Sequence, residues 1–368
     1  MRAWKPLLSL AVAVAVSGQI KPATTDPVEL IKAQTRTIER NAAGVFSGPA
    51  WSGLVADGAS AQFVMVGEQH GSGDIARLES ALHAELAKRG YTHSALEVGP
   101  ISTPFAERLI RSGKGELKRY IAAPGHGFVL PFLFFAEEAE MAEAMVSTSP
   151  DRQQALFGLD QEFVGPAPIL MNQLEKEATS QAQLNAVAEL AQLAAKDTML
   201  VGKIADEDIA RLERAFAGNP RGLAVVEAIR TSARIYRPFI ARTGSGYAAN
   251  LERENYMKAN FVRLFEAARK RNGVAPKVCF KIGGNHAMRG MSGTNVPALG
   301  NFVAEWGLPR NYRMVNLMVD CVGGEAMNPQ TGLAAPCQSY FGKDSAIAKA
   351  VARGPAVQVI ALRALRAR

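Results

Sequence analysis

The chain has 368 residues, of which 48% are hydrophobic and 21% charged, with 33 glycines and 19 prolines. This ordinary globular composition excludes a disordered, a collagen-like and a small disulfide-rich protein. The 42 basic and 34 acidic residues give a net charge of +8, but the basic residues are spread along the chain, so we expect no nucleic-acid partner.

The start of the chain has the layout of a cleavable export signal. Two basic residues among the first five precede an apolar run, Leu7–Val16, and small residues follow it. The run is shorter than the roughly 20 residues that cross a membrane. The sequence therefore predicts a signal peptide over 1–18 and a mature domain over 19–368 that is periplasmic or secreted, without membrane contact after cleavage. An uncleaved anchor is the alternative.

Apolar runs without alternation predict the buried strands of a parallel sheet. The predicted strands are Phe63–Val66, Thr92–Leu96, Ala155–Leu159 and Val278–Ile282, followed by two final strands over 312–319 and 357–362. Apolar residues at helical spacing predict a helix over 28–46, helices between the strands, and a nearly continuous helical segment over about 165–272. The predicted fold is α/β: a central, mostly parallel sheet with helices on both faces and a large helical insertion. Whether the helices form a separate cap domain stays open.

Ionisable residues follow four of the predicted strands. The first strand runs into Glu68 and His70, the second ends at Glu97, the third at Asp160, and the fourth leads to His286. In open parallel sheets, ligands bind beyond the carboxyl ends of the strands. Residues two apart in an extended segment project to the same side. We therefore expect these five side chains to converge on one pocket.

Other candidates are less constrained by the pattern. His126 lies in a glycine-flanked loop that could reach the pocket, and Arg253 lies on the long helix before the fourth strand, where it would balance the carboxylates. Asp160 alone could equally be a helix cap or a solvated loop residue. His83 lies inside a helix and is expected to be a surface or core residue, and His93 lies inside a strand and is expected to pack or to face a helix.

Five motifs carry a resemblance to a known group of proteins. They are Val66–Gly71, Ser94–Glu97, Phe157–Gln161, Leu251–Asn260 and Phe280–His286. In this order, over roughly residues 63–362, they resemble the superfamily that joins erythromycin esterases, ChaN-like haem-binding lipoproteins and TraB/TIKI proteins. The spacing of Glu68 and His70 is similar to the ChaN-like branch, and the Arg253 helix is similar to the esterase branch. The resemblance implies the fold and leaves the substrate open.

The resemblance and the residues together suggest a hydrolase acting on an ester, lactone or amide bond of a small molecule. His70 or His286 would activate water, Glu68 or Glu97 would orient the histidine, and Arg253 would stabilise the oxyanion. We expect Asp160, His126 and Glu254 to contribute to substrate binding; these three complete the set of candidates. No cofactor is needed in this scheme.

Two other schemes stay open, besides a protein that keeps the fold without activity. In one, His70, Glu97 and His286 hold a divalent metal that activates water, as the TIKI resemblance suggests. In the other, the pocket binds haem or another iron compound without reaction. The conceivable axial ligands are then Tyr236, Tyr247 and Tyr256. A serine nucleophile is not expected, because the sequence has no G-x-S-x-G motif.

The three cysteines divide by their surroundings. Cys321 and Cys337 flank a stretch rich in glycine, proline and asparagine, and an oxidising compartment would favour a disulfide between them. Cys279 lies in an apolar run and is expected to be a buried thiol. Three free thiols are the alternative.

Overall fold

The computed structural model describes residues 26–197, 199–244, 246–328, 331–337, 339–342, 344–351 and 357–360. The predicted signal peptide over 1–18 lies outside these ranges. Within them, no helix combines the length and apolar character needed to cross a membrane. In chain order the elements are α1 Pro27–Gln34, β1 Thr35–Arg40, β2 Phe46–Ser47, α2 Gly48–Ala59, β3 Phe63–Glu68, α3 Gly73–Ala87, β4 Tyr91–Leu96, α4 Ser102–Ser112, α5 Glu116–Ala122, α6 Ala136–Thr148, β5 Leu156–Gly158, α7 Ala167–Glu177, α8 Gln181–Ala194, α9 Leu200–Lys203, α10 Asp206–Ala215, α11 Pro220–Ala241, α12 Tyr247–Asn272, β6 Lys277–Gly283, α13 Gly284–Ala287, α14 Leu299–Gly307, a 3-10 turn Leu308–Arg310, β7 Met314–Met318, β8 Glu325–Met327, β9 Ala334–Pro336, α15 Ala346–Ala350 and β10 Val357–Ile360.

The chain divides into two compact units. The described part of the smaller unit comprises 26–36, 341–342, 344–351 and 358–360, in which α1 and α15 contact each other. The larger unit contains the parallel sheet and all the residues of the candidate site described below.

The sheet of the larger unit has five strands in the order β5-β4-β6-β3-β7. Each neighbouring pair is parallel; for example, Phe63 of β3 lies opposite Val278 of β6 and Met314 of β7. Every residue of β3 is buried, which is why the strand reads as an unbroken apolar run. The four strands predicted over 63–66, 92–96, 155–159 and 278–282 and the strand predicted over 312–319 are confirmed, and the third of them, β5, lies at an edge of the sheet. The described part of 357–362 forms β10, which is not a strand of this sheet.

Two hydrophobic cores cover the two faces of the sheet. Ala95 packs into a core with Phe261 and Phe265 of α12, whereas the next residue, Leu96, packs into a core with α4, α5 and α6. Successive residues of a strand point to opposite faces, so helices cover both faces, as predicted. The sheet is thereby fixed from both sides, and its carboxyl edge is held rigidly.

The segment between β5 and β6 is helical, as the sequence predicts. Its described residues form α7 to α12, and the first five of these helices share a core of their own that includes Leu174, Leu212 and Phe216. The last of them, α12, packs under the sheet instead through Phe261 and Phe265. One long helix therefore links this segment to the strand that follows it.

The helix predicted over 28–46 is wrong in its second half. The helix ends at Gln34, and the following residues form β1, which pairs antiparallel with β2 through Glu39 and Ser47. The segment Thr35–Arg40 carries three β-branched residues, and only Ile38 among its six residues is buried. Such residues favour an extended backbone over a helix.

Candidate active site

Charged side chains from four neighbouring strand ends meet at the carboxyl edge of the sheet. Each one directly follows, or closes, a parallel strand, and the strand order β5-β4-β6-β3 sets them side by side. Two more come from α12, which runs toward β6. We call this group the rim cluster; its members are Glu68, His70, Glu97, Asp160, Arg253, Glu254 and His286. Ion pairs and close contacts between charged groups link all seven into one network.

Glu68 and His70 form the first pair of the rim cluster. His70 Nδ1 lies 2.8 Å from Glu68 Oε1, and the Glu68 side chain is 2% exposed. Burial would raise the pKa of Glu68, but Lys281 and His70 outweigh it and lower that pKa. The ionised carboxylate can only accept a hydrogen bond, so Nδ1 of His70 carries a proton and donates it to Glu68.

Glu97 lies at the centre of the rim cluster. Its Oε2 accepts from the Gly283 backbone N–H at 2.6 Å, and its Oε1 accepts from Arg253 Nη2 at 2.7 Å. His70 Nε2 lies 3.6 Å from Oε2, outside hydrogen-bond distance, and His286 Nε2 lies 3.3 Å from Oε1. Although burial opposes the charged form, the neighbouring His286, His70 and Arg253 hold the pKa of Glu97 well below its ordinary value.

Gly283 is needed for this approach. A Cβ atom at this position would lie 2.7 Å from His70 Nε2 and 3.1 Å from Glu97 Oε2. Only glycine lets the backbone of β6 come this close to both side chains. The Gly-Gly pair at the end of β6 therefore forms part of the site itself.

Arg253 connects α12 to two strand ends. Its Nε donates to Asp160 Oδ1 at 3.0 Å, and its Nη2 donates to Asp160 Oδ2 as well as to Glu97. This two-point contact with a carboxylate matches the planar guanidinium. Against the cost of burial, Asp160 and Glu97 keep the pKa of Arg253 well above its ordinary value. Arg253 is therefore a fixed cation, 20% exposed, at the edge of the pocket.

His286 and Glu254 form the second pair. His286 Nδ1 lies 2.6 Å from Glu254 Oε1, and Glu254 Oε2 accepts from the Leu299 backbone N–H at 2.7 Å. Burial would lower the pKa of His286, but the nearby Glu97 and the hydrogen bond to Glu254 outweigh it and raise the pKa to about 9. At neutral pH His286 is therefore an imidazolium that donates through both nitrogens.

The two pairs thus have the same pattern and different surroundings. In each, a buried glutamate holds Nδ1 while Nε2 faces Glu97. The side chain of His70 is 24% exposed and that of His286 is 11% exposed. The arrangement combines one partly exposed imidazole, His70, with two cations, His286 and Arg253. This is a combination suited to base catalysis and to stabilising negative charge.

The predicted metal ligands are close together but do not fit a divalent cation. Within the described ranges, no group of three His, Cys, Asp or Glu side chains is arranged to hold a metal ion. Both oxygens of Glu97 already accept hydrogen bonds, and the Arg253 guanidinium at 2.7 Å would repel a second cation. A metal site requires ligand nitrogens and oxygens with free lone pairs that surround one unoccupied position.

The tyrosines considered as haem ligands are poorly suited to that role. Tyr236 accepts a hydrogen bond from Gln161 Nε2 at 2.9 Å, and burial raises its pKa. Burial also raises the pKa of Tyr256 to about 12, which disfavours the tyrosinate that would bind iron. Tyr247 lies at the surface, 47% exposed, in the first turn of α12. These residues do not fit an axial ligand set.

His126 is held away from the network by local contacts. Its Nδ1 lies 2.8 Å from the Tyr120 carbonyl oxygen, and its ring packs on the Tyr120 ring. Among the described residues, its polar and ring contacts are both with this one neighbour. His83 and His93 are buried and hydrogen-bonded within the protein, as expected of structural histidines.

Sequence reasoning missed three residues next to His70. Lys281 of β6 lies 2.7 Å from Glu68 Oε1. The ring of Phe132 stacks on the His70 ring at 4.0 Å between centroids, and the Tyr340 hydroxyl donates to the Glu68 carbonyl oxygen at 3.0 Å. A signal existed only for Lys281, because a charged residue inside an apolar strand requires a buried partner.

The segment that carries Tyr340 is cross-linked. Cys321 and Cys337 are joined by a disulfide, and the Cys321 backbone N–H donates to Gln69 Oε1 at 3.1 Å. Cys279 is a buried free thiol whose pKa burial raises above its ordinary value. The disulfide thus closes a loop that reaches the residue between Glu68 and His70.

The chain has an α/β fold with the rim cluster at the carboxyl edge of its parallel sheet, and this fold is similar to those of three solved structures. A mutant erythromycin esterase, EreC, in its open conformation superposes with a TM-score of 0.58 and 17% identity, over 84% of this chain and 85% of that chain. A Bacillus cereus protein superposes with a TM-score of 0.53 and 14% identity, over 86% of this chain and 80% of that one. A succinoglycan biosynthesis protein superposes with a TM-score of 0.50 and 16% identity, over 79% of this chain and 74% of that chain.

These likenesses confirm the resemblance inferred from the motifs at the level of fold. No protein-family model matches the sequence. A search of curated proteins likewise found no match. The chemistry of the site therefore has to be argued from its own residues.

Proposed function

We propose that the chain is an exported hydrolase that cleaves an ester, lactone or amide bond of a small molecule at the rim cluster, with water activated by His70. The observation that carries the proposal is the asymmetry of the two histidines. Both face Glu97, but His70 is the more exposed, and its Nδ1 proton is held by Glu68.

The sequence leaves two candidates for the base, and the electrostatics favour one. His286, with a pKa of about 9, is already protonated at neutral pH and cannot take a proton from water. In this scheme Glu68 holds Nδ1–H of His70, and His70 Nε2 removes a proton from the water molecule that attacks the substrate carbonyl. When the tetrahedral intermediate collapses, its bond to the leaving alcohol or amine breaks, and His70 returns that proton to the leaving group.

The cations of the cluster supply the second half of the scheme. As the carbonyl becomes tetrahedral, negative charge develops on its oxygen, and Arg253 at the pocket edge stabilises it. His286 adds its charge from a deeper position. Asp160 and Glu254 are engaged by Arg253 and by His286, so we assign them to positioning these groups instead of binding substrate.

The test is a panel of activated esters, lactones and amides, assayed with and without a chelator. We expect hydrolysis of at least one class, unaffected by the chelator. Arg253→Met should lower turnover by ~10²–10³-fold, the effect of losing one oxyanion donor. The matched control is Arg271→Met, since Arg271 is similarly exposed, at 24%, and also binds a carboxylate, Asp151. Loss of activity on chelation, or equal turnover for the two variants, would overturn the scheme.

Export is a separate part of the proposal. It rests on the layout of residues 1–18, and the disulfide between Cys321 and Cys337 fits an oxidising compartment. Mass spectrometry of the protein from periplasm or medium should find a chain that begins near residue 19 with this disulfide intact. A full-length chain confined to the cytoplasm would contradict it.

A further inference from the structure

A buried lysine lies directly behind His70. Lys281, in the middle of β6, is 1% exposed. Its ammonium faces carboxylates from three different elements: Glu68 of β3 at 2.7 Å, Glu138 of α6 at 3.0 Å, and Glu79 of α3 across a cavity of about 10 Å³ that both residues line. Both Glu79 oxygens are buried and lack a hydrogen-bond partner among the described residues.

One route leads from Lys281 to His70 through a carboxylate. The same oxygen, Glu68 Oε1, receives Lys281 Nζ at 2.7 Å and His70 Nδ1 at 2.8 Å. Glu68 is therefore held by the buried ammonium of Lys281 on one side and contacts the more exposed His70 imidazole on the other. Without that cation, a buried glutamate facing two others would bind a proton and stop acting as an acceptor toward Nδ1–H.

A second route leads through the backbone. Lys281 Nζ donates to the Phe132 carbonyl oxygen at 3.1 Å, and the Phe132 ring stacks on the His70 ring at 4.0 Å with an interplanar angle of 22°. Phe132 has a φ of +58°, in the left-handed region that residues with side chains seldom adopt. An outside contact must therefore hold it there, and the bond from Lys281 is such a contact.

We propose that Lys281 is a positioning residue for His70: it holds Glu68, which fixes the Nδ1 side of the imidazole, and it holds Phe132, whose ring covers one face. The proposal rests on the proposed function in that His70 is taken as the base. It assigns a role to a residue that does not touch substrate.

Three variants test it. Lys281→Met/Glu138→Gln removes one positive and one negative charge together, so that the buried cluster keeps its net charge and the fold is best preserved. Phe132→Gly keeps the backbone carbonyl, suits a positive φ, and removes only the stacked ring. Lys277→Met is the matched control, because Lys277 lies on the same strand and its Nζ donates to the Ala59 carbonyl oxygen, away from the rim cluster.

The readout is the ¹⁵N spectrum of histidine rings in the labelled protein, with the His70 signals assigned by their loss in His70→Gln. In the wild type and in Lys277→Met we expect a single tautomer with a slowly exchanging Nδ1–H. In Lys281→Met/Glu138→Gln that Nδ1–H should exchange rapidly and the tautomers should mix. In Phe132→Gly exchange should be faster with the tautomer retained. Turnover of the double variant should fall by ~10²-fold.

Unchanged His70 signals in the double variant would overturn the proposal. If the double variant does not fold, unchanged exchange in Phe132→Gly would overturn it, and faster exchange would support it. The spectrum needs no substrate, so the two claims can fail separately. If the spectra change as expected but the wild type hydrolyses no substrate, only the proposed function is contradicted. If the wild type hydrolyses a substrate but the spectra of the variants are unchanged, only the role of Lys281 is contradicted.

Discussion

The two ends of the parallel sheet each hold a buried carboxylate between an arginine and a histidine, but they differ in how the histidine is used. At the carboxyl end, Glu97 accepts from Arg253 and faces His70. At the amino end, Asp151 accepts from Arg271 at 2.6 Å and lies 3.1 Å from His93 Nε2.

At the amino end of the sheet, Asp151 and His93 have all their hydrogen-bonding atoms paired within the protein. Asp151 Oδ1 accepts from the backbone N–H groups of Gln153 and Gln154, and its Oδ2 also accepts from Asn272 Nδ2 at 3.1 Å. His93 is fully buried and its other nitrogen lies 2.8 Å from Thr92 Oγ1. With every group occupied inside the protein, this end can only stabilise the fold.

The carboxyl end keeps one group accessible. His70 is 24% exposed, and its Nε2 lies beyond hydrogen-bond distance of Glu97. Since both ends contain the same residue types, composition does not separate a structural cluster from a catalytic one. The partial exposure of the His70 side chain does, and the following substitutions test whether that distinction is correct.

The largest effect is expected at the centre of the rim cluster. Glu97→Gln removes the charge that Arg253 and His286 share, so both cations lose a buried partner. We expect turnover to fall by ~10²–10⁴-fold, together with a lower melting temperature. Steady-state kinetics on a substrate found in the panel measures it. Near-normal turnover in Glu97→Gln would show that the cluster only stabilises the fold.

The amino end should respond in stability alone. Asp151→Asn leaves Arg271 without its buried partner, and breaking such a pair costs about 3–5 kcal/mol. Urea unfolding should show this loss, while the activity per folded molecule stays close to that of the wild type. A large loss of specific activity with unchanged stability would reverse the roles assigned to the two ends.

A smaller effect is expected from pH. Because the pKa of His286 is raised to about 9, its stabilising contribution is fully present below the unfolded pKa near 6.5 and is lost as pH rises through 9. The shift corresponds to on the order of 3 kcal/mol. Unfolding free energies should therefore decline between about pH 6.5 and 9, and the decline should be absent in His286→Gln. An equal decline of the unfolding free energy in His286→Gln would show that another group causes the pH dependence.

Most of the parallel sheet and most residues of the rim cluster could be predicted from the sequence. The inner strands were predictable because a strand covered on both faces must be apolar at every position. Glu68, His70, Glu97, Asp160 and His286 were predictable because parallel strands bring their carboxyl ends to one edge. The helix that carries Arg253 lies in the helical segment predicted over about 165–272, whereas Arg253 itself was indicated by the resemblance of its motif to the esterase branch.

The rest depended on long-range contacts. Lys281 and Glu138 are 143 residues apart in sequence, and no local pattern pairs a strand residue with a particular helix. The position of His126 was not predictable, because its side chain is held by the backbone carbonyl of Tyr120. Every residue has such a carbonyl, so the sequence does not mark this partner. The end of the first helix at Gln34 is not visible in the apolar spacing of residues 28–46, whereas the β-branched residues of the next segment favour a strand.

The most direct measurement compares a histidine from each end of the sheet. His70→Gln and His93→Gln would be assayed together for turnover and for melting temperature. We predict that His70→Gln lowers turnover by ~10²–10⁴-fold with little change in Tm, because His70 is partly exposed, and that His93→Gln lowers Tm while each folded molecule keeps its activity. Full turnover in His70→Gln, or a loss confined to His93→Gln, would contradict the account.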